Sequence, residues 1–88
     1  LSQNYPNPFN PTTRIQYNLP KTGLVQISIY TLMGQKISTL VNRNMEAGRH
    51  NITWNGMDDL GNPAGAGVYL YQLRANQFVK TRKMVLLK

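Results

Sequence analysis

The feature that most constrains the fold is a strict alternation of apolar and polar residues over Thr13–Leu19. Its apolar members are Ile15, Tyr17 and Leu19. Successive side chains of an extended strand point to opposite faces, so this period of two predicts a β-strand with one buried face. The same period returns at Val25–Tyr30, after a break that contains Pro20 and Gly23. The sequence therefore predicts two short strands joined by a turn at the start of the domain.

The rest of the chain predicts more strands and no helix. The further predicted segments are Lys36–Val41, Arg49–Trp54, Val68–Ala75 and Gln77–Lys88. In the first of them, Ile37 and Leu40 lie three residues apart, which predicts a bulge or an edge strand. The third, Val68–Ala75, is partly apolar on both faces, as in a central strand of a sandwich. No stretch shows a sustained helical period with caps. We therefore predict an all-β fold, an antiparallel β-sandwich of about seven strands.

The last predicted strand does not keep one period. Phe78, Lys80 and Arg82 alternate with other residues at first, but Met84–Leu87 is apolar at every position. A bulge at Lys80–Lys83, or burial of both faces, would reconcile the two halves. In either case we expect the chain to end inside the fold.

Two residues of the fourth strand are candidates for the core. Trp54 is expected to be a core anchor whose indole N–H needs a partner. His50 shares its face, but the chain has no second histidine and no cysteine to complete a catalytic or ligand site. A core-edge histidine with a satisfied ring is therefore favoured.

A turn-rich segment follows Trp54. Asn55-Gly56 predicts a type I′ turn, which needs positive φ at both central residues. The segment to Gly67 is then a long connection or a short hairpin. It contains Asp58 and Asp59, a pair that could bind calcium. Neighbouring side chains on an extended chain point apart, however, so side chains that hydrogen-bond nearby backbone are the stronger interpretation.

Size and charge exclude several classes of function. An 88-residue chain supports one modest core and no large catalytic cavity. It has no plausible pair of nucleophile and base, so we expect no enzyme, no cofactor and no small-molecule substrate. The absence of cysteine excludes disulfides and thiolate metal sites. A net charge of +7 predicts attraction to anionic surfaces, but the cations are scattered and no nucleic-acid-binding motif accompanies them.

The first twelve residues form a proline-rich lead-in. Its prolines, Pro6, Pro8 and Pro11, forbid a helix and a central strand. Such a rigid segment can dock Tyr5 and Phe9 at the domain entrance or present them to a partner. We therefore divide the chain into a lead-in, residues 1–12, that packs on a β-domain, residues 13–88.

The order of these motifs resembles a known family. The residues that carry the resemblance are Leu1, Gln3 to Thr13 with Tyr5-Pro6-Asn7-Pro8 at their centre, Ile15, Tyr17, Leu19-Pro20, Ile29-Tyr30, Gly34, Gly48, His50, Trp54-Asn55-Gly56, Asp59, Gly61, Gly67-Val68-Tyr69 and Lys83-Met84-Val85-Leu86-Leu87-Lys88. Together they resemble a type A C-terminal sorting domain of the type IX secretion system, over essentially the whole chain.

The resemblance implies an immunoglobulin-like sandwich that labels an N-terminal passenger protein for export. The expected partners are the outer-membrane translocon of this system and its sortase-like peptidase. The expected route leads through the periplasm to the cell surface or the medium, commonly with removal of the domain and attachment of the passenger to an anionic lipopolysaccharide. Matched by position, Gly67-Val68-Tyr69 and Lys83–Lys88 are the expected recognition residues, and a strand that ends the chain could bind its receptor by strand addition.

Two alternatives remain open at this stage. The middle of the chain also resembles the immunoglobulin-like domain of flagellar hook-capping proteins, which work by protein assembly. Five tyrosines and Trp54 in a sandwich would also suit an adhesion or carbohydrate-binding module, with Tyr30 as the expected exposed ring.

Overall fold

A computed structural model of the protein describes residues 1–76 and 78–87. Its six strands are β1 (Thr13–Leu19), β2 (Gly23–Thr31), β3 (Lys36–Met45), β4 (Gly48–Trp54), β5 (Gly67–Ala75) and β6 (Phe78–Leu86). All pairings between these strands are antiparallel, in a two-stranded sheet β1-β4 and a four-stranded sheet β3-β2-β5-β6. The all-β sandwich is confirmed, with six strands rather than about seven. The described residues contain no helix that could span a membrane.

The lead-in adds no strand to either sheet, as its prolines predict. It makes only isolated bridges, one from Tyr5 to Arg14 of β1 and one from Phe9 to Leu86 of β6. Because proline has no backbone N–H, the intervening prolines cannot continue a ladder of hydrogen bonds. The lead-in therefore crosses from one sheet to the other without becoming a strand.

The core consists of two apolar clusters between the sheets. The first contains Phe9, Ile15, Ile29, Trp54, Tyr69, Tyr71, Met84 and Leu86. The second contains Tyr17, Leu19, Val25, Ile27, Val41, Leu73 and Ala75. Trp54 is 1% exposed, and its Nε1–H donates to the Met57 carbonyl at 2.9 Å. Its predicted role as a core anchor is confirmed.

Strand β3 is an edge strand with irregular pairing, as predicted. Its register with β2 shifts between Ile27 and Ser28 and again between Ile29 and Tyr30. It is longer than expected, because the polar residues up to Met45 continue the pairing back to Gly23. These residues are polar because they are exposed at the sheet edge, and not because they form a loop.

Strand β6 differs from the sequence prediction. It pairs with β5 in one unbroken register, from Gly67 opposite Leu86 to Ala75 opposite Phe78. The predicted bulge is therefore wrong, and so is burial of both faces, because Leu87 is 49% exposed. The run of apolar residues has a simpler cause. Met84 and Leu86 point into the core, and the residue between them, Val85, is an apolar residue on the outward face. Lys88, and the start of the predicted strand at Gln77, lie outside the described residues.

The segment between β4 and β5 is a long connection between the two sheets. Gly56 has φ +79°, and a Cβ there would lie 2.8 Å from the Pro11 carbonyl oxygen. Asn55 does not have a positive φ, since Asn76 is the only described non-glycine residue that does. The type I′ prediction is therefore wrong: the chain leaves β4 for the other sheet instead of returning beside it.

Candidate docking site where three motifs meet

The pairing of β5 with β6 brings the two predicted recognition motifs together. Gly67 lies opposite Leu86, Val68 opposite Val85, and Tyr69 opposite Met84. Gly67 has φ +151°, a backbone conformation that strongly favours glycine. Segments that are far apart in the sequence therefore form one continuous piece of sheet.

The lead-in binds the outer edge of the same piece. The Phe9 N–H donates to the Val85 carbonyl at 3.0 Å, and the Leu87 N–H donates to the Phe9 carbonyl at 2.8 Å. The Val85 N–H donates to Oδ1 of Asn7 at 3.0 Å, and Nε2 of Gln3 donates to the Lys83 carbonyl at 2.8 Å. The lead-in and the two predicted recognition motifs thus meet at the end of β6. These bonds occupy the strand edge at the chain end, which contradicts the expectation of strand addition there.

The predicted recognition residues divide between two faces. Tyr69, Met84 and Leu86 lie in the core and are at most 9% exposed. Val68, Lys83 and Leu87 are exposed, Val85 is half-buried, and Lys88 lies outside the described residues. A receptor can therefore contact only the outward members, while the inward members hold the strand in place.

The residues of the lead-in motif also divide. Phe9 is buried against Trp54, with ring centroids 5.7 Å apart, whereas Tyr5 is 80% exposed. Pro6, Asn7 and Pro8 are exposed. The carbonyl of Pro6 accepts a hydrogen bond from Thr13 Oγ1 at 2.8 Å.

A buried polar network that the sequence analysis missed fixes the lead-in to the sandwich. The Tyr71 hydroxyl accepts from the Asn4 N–H at 2.9 Å and donates to the Ser2 carbonyl at 2.7 Å. The side-chain amide of Asn4 donates, through Nδ2, to Thr13 Oγ1 at 3.0 Å. A tyrosine on the buried face of a central strand needs a partner for its hydroxyl. That requirement could have predicted a polar partner for Tyr71 from the sequence.

Burial changes the titration of two tyrosines. It raises the pKa of Tyr71, although the hydrogen bond from Asn4 and the charge of Arg82 oppose the shift. It also raises the pKa of Tyr17, against the charge of Arg43. Both phenols therefore stay neutral at physiological pH and can donate hydrogen bonds.

The outward side of the site is an apolar surface with a basic residue. We call it the outer patch; it consists of Tyr30, Val68, Leu70, Lys83 and Val85. Cross-strand neighbours join them, with Tyr30 opposite Leu70, Leu70 opposite Lys83, and Val68 opposite Val85. Such a surface fits a protein partner that offers an apolar centre and a carboxylate.

The other candidate residues serve the loops. Asp58 Oδ1 accepts from the N–H groups of Leu60 and Asn62, and Asp59 Oδ1 accepts from the Thr39 N–H at 3.0 Å. Both carboxylates therefore order the connection and hold it to the edge of β3. His50 is half-buried, and its Nε2 lies 2.6 Å from the Glu46 carbonyl oxygen. It stacks on Tyr17, with ring centroids 5.4 Å apart.

Comparison with known proteins identifies the class. Residues 9–78 match the FlgD Ig-like domain family, so the chain belongs to that family and its sandwich is immunoglobulin-like. The matched region leaves out residues 1–8 and 79–88, which include most of the lead-in and of β6. A comparison with curated protein sequences finds no match.

Solved structures of two kinds of protein are similar to this chain: FlgD, and the proteins PorU and PorZ. FlgD from P. aeruginosa aligns with a TM-score of 0.66 and 25% identity, over 84% of this chain and 58% of that one. PorU from Porphyromonas gingivalis aligns with a TM-score of 0.74 and 18% identity, over 97% of this chain and 9% of that one. PorZ, a surface component of the type IX secretion system of the same organism, aligns at 0.66 and 18%, over 98% and 11%. The likeness to PorU and PorZ concerns the fold, and it covers nearly the whole chain.

Proposed function

We propose that the chain is a non-catalytic sorting module that directs an N-terminally attached passenger protein across the bacterial outer membrane by type IX secretion. Its partners in this proposal are the translocon and the sortase-like peptidase of that system. The route leads through the periplasm to the cell surface or the medium, with cleavage and surface attachment of the passenger as the expected end.

The observation that carries the proposal is the meeting of the three motifs at the end of β6. A domain that only folds and assembles has no need of a lead-in bonded to β6 beside an outward-facing pair of valines, Val68 and Val85. Most of the lead-in and most of β6 lie outside the region matched by the FlgD Ig-like family.

The outer patch is the surface that we assign to the receptor. Val68 is 38% exposed and Lys83 is exposed, and each comes from a different recognition motif. An apolar centre supplies contact area, and a charge at its margin supplies orientation and salt dependence. The buried neighbours Met84 and Leu86 keep this surface rigid.

The test is an export assay with folded variants. Residues 1–88 are fused behind a periplasmic reporter in a bacterium that has type IX secretion. Deletion of Lys83–Lys88 would remove the core side chains of Met84 and Leu86, so it would test folding and recognition together. Val68→Asp and Lys83→Glu change only outward side chains, and Lys21→Glu is the matched control at another exposed lysine.

We expect Val68→Asp to lower the secreted reporter at least tenfold and Lys83→Glu to lower it severalfold, while Lys21→Glu is exported normally. Urea unfolding of each purified domain checks that the variants remain folded. Wild-type export of both outer-patch variants would refute the proposal.

A second candidate function is saccharide binding, supported by the most exposed aromatic ring of the lead-in. Tyr5, with Gln3, Arg14, Gln16 and Thr53, lines an open hollow of about 550 Å³. An exposed ring beside polar side chains is a common platform for sugars. Tyr5 replaces Tyr30 in this role, because Tyr30 is half-buried. A glycan array that shows binding lost in Tyr5→Ala would favour this function, and an array without signal would remove it.

A further inference from the structure

Strand β6 has an open edge that the lead-in does not cover. Both backbone groups of Val85 bond outward, the N–H to Asn7 and the carbonyl to Phe9. In an antiparallel pair the outward groups recur at every second residue. Val79 and Thr81 therefore also direct their N–H and carbonyl groups away from β5.

The lead-in covers the edge of β6 only as far as Lys83. Gln3 donates to the Lys83 carbonyl, and Nε of Arg82 donates to the Leu1 carbonyl at 2.9 Å. Within residues 1–76 and 78–87, no backbone hydrogen bond reaches Val79 or Thr81 from beyond the sheet. Val79 is 48% exposed. Four outward backbone groups are thus available to an extended partner segment.

The charge along this edge is of one sign. Lys80 and Arg82 flank it on one face of the sheet, and both are exposed. Neither β5 nor β6 contains a carboxylate. Like charges disfavour the pairing of two copies of β6, which is how edge lysines commonly prevent aggregation. A strand with carboxylates would instead gain from the same cations.

We infer that the open edge of β6 at Val79–Thr81 binds an extended acidic segment of a secretion-system protein by strand addition. Main-chain bonds to Val79 and Thr81 supply affinity, and Lys80 and Arg82 select an acidic partner. This inference rests on the proposed function for the system that supplies the partner, but it concerns a separate surface from the outer patch.

The decisive variant is Thr81→Pro in the full reporter fusion. Proline is tolerated at an edge position whose N–H faces outward, so it blocks strand addition without removing a backbone bond to β5. It does remove the side-chain bond that Gln72 Nε2 donates to Thr81 Oγ1 at 3.1 Å, a loss that alanine at this position shares. Thr81→Ala is the matched control. Lys80→Glu tests the charge selection and does not depend on how Thr81→Pro folds. We expect at least a tenfold loss of export for Thr81→Pro, a severalfold loss for Lys80→Glu, and normal export for Thr81→Ala.

A photoreactive residue at position 79 identifies the occupant. We expect cross-links that peptide mapping places in an acidic segment of a secretion-system protein, and that Lys80→Glu weakens. Normal export of Thr81→Pro and Lys80→Glu together with blocked export of Val68→Asp would overturn the inference and leave the proposed function standing. Normal export of all variants would refute both. A cross-link to the passenger's own chain would also overturn the inference, since the edge would then be covered internally.

Discussion

The replacement of Tyr71 by phenylalanine tests the attachment of the lead-in to the sandwich. Phenylalanine fills the same volume, so no cavity forms, and the change is limited to the hydroxyl group. The Asn4 N–H then loses its acceptor, and Asn4 is only 2% exposed. A buried donor left without a partner costs about 1–3 kcal/mol, whereas the exposed Ser2 carbonyl can turn to water. We therefore expect Tyr71→Phe to lower the free energy of unfolding by about 1–3 kcal/mol.

Two measurements check this prediction. Urea unfolding gives the loss of stability, and hydrogen exchange shows whether the Asn4 and Tyr5 amides open faster than the amides of β2. Tyr69→Phe is the control, because its hydroxyl donates to the Gly65 carbonyl and does not touch the lead-in. A loss below about 0.5 kcal/mol, with unchanged exchange at Asn4, would refute the reasoning that this bond holds the lead-in.

Four further predictions follow from the same contacts. Trp54→Ala should cost about 3–5 kcal/mol in urea unfolding, because it leaves a cavity beside Phe9; a loss under about 1 kcal/mol would contradict its burial. Asp59→Ala should cost about 0.5–1.5 kcal/mol, because the exposed Thr39 N–H loses its acceptor; a neutral result would show that this bond is not formed in solution. Lys83→Ala should stay within about 0.5 kcal/mol of wild type, since exposed charges contribute little to folding; a larger loss would give Lys83 a structural role. The buried phenols of Tyr17 and Tyr71 have raised pKa values, so their contribution to stability is complete below about pH 10 and is lost as the pH rises through the folded pKa values; a pH titration of the unfolding free energy that stays flat above pH 10 would contradict this.

The local alternation of apolar and polar residues predicted most of the fold. The first strand, Thr13–Leu19, has the bounds that its alternation indicated, and Trp54 is buried as expected. These predictions succeed because the alternation of side chains in a strand is a local property. The end of β3 and the backbone of Asn55 were mispredicted because they depend on which sheet the chain joins next.

The candidate site was predicted as two separate motifs, and their contact was not foreseen. That Val68 lies beside Val85 depends on the register of two strands joined by a tight turn at Asn76. The lead-in adds a second non-local element, since Asn7 and Phe9 bond to a strand nearly the whole chain away. Sequence alone identified the family-like residues, but only the packing separates buried Met84 from outward Val85.

The central claim is that β6 carries the fold on one face and the export signal on the other. An alanine scan of residues 83–87, measured for both unfolding free energy and reporter export, tests it most directly. The account predicts that Met84→Ala and Leu86→Ala lose about 2–5 kcal/mol of stability, while Lys83→Ala and Val85→Ala fold with little loss and are exported poorly. Outward variants that are exported like wild type, or inward variants that keep full stability, would contradict it.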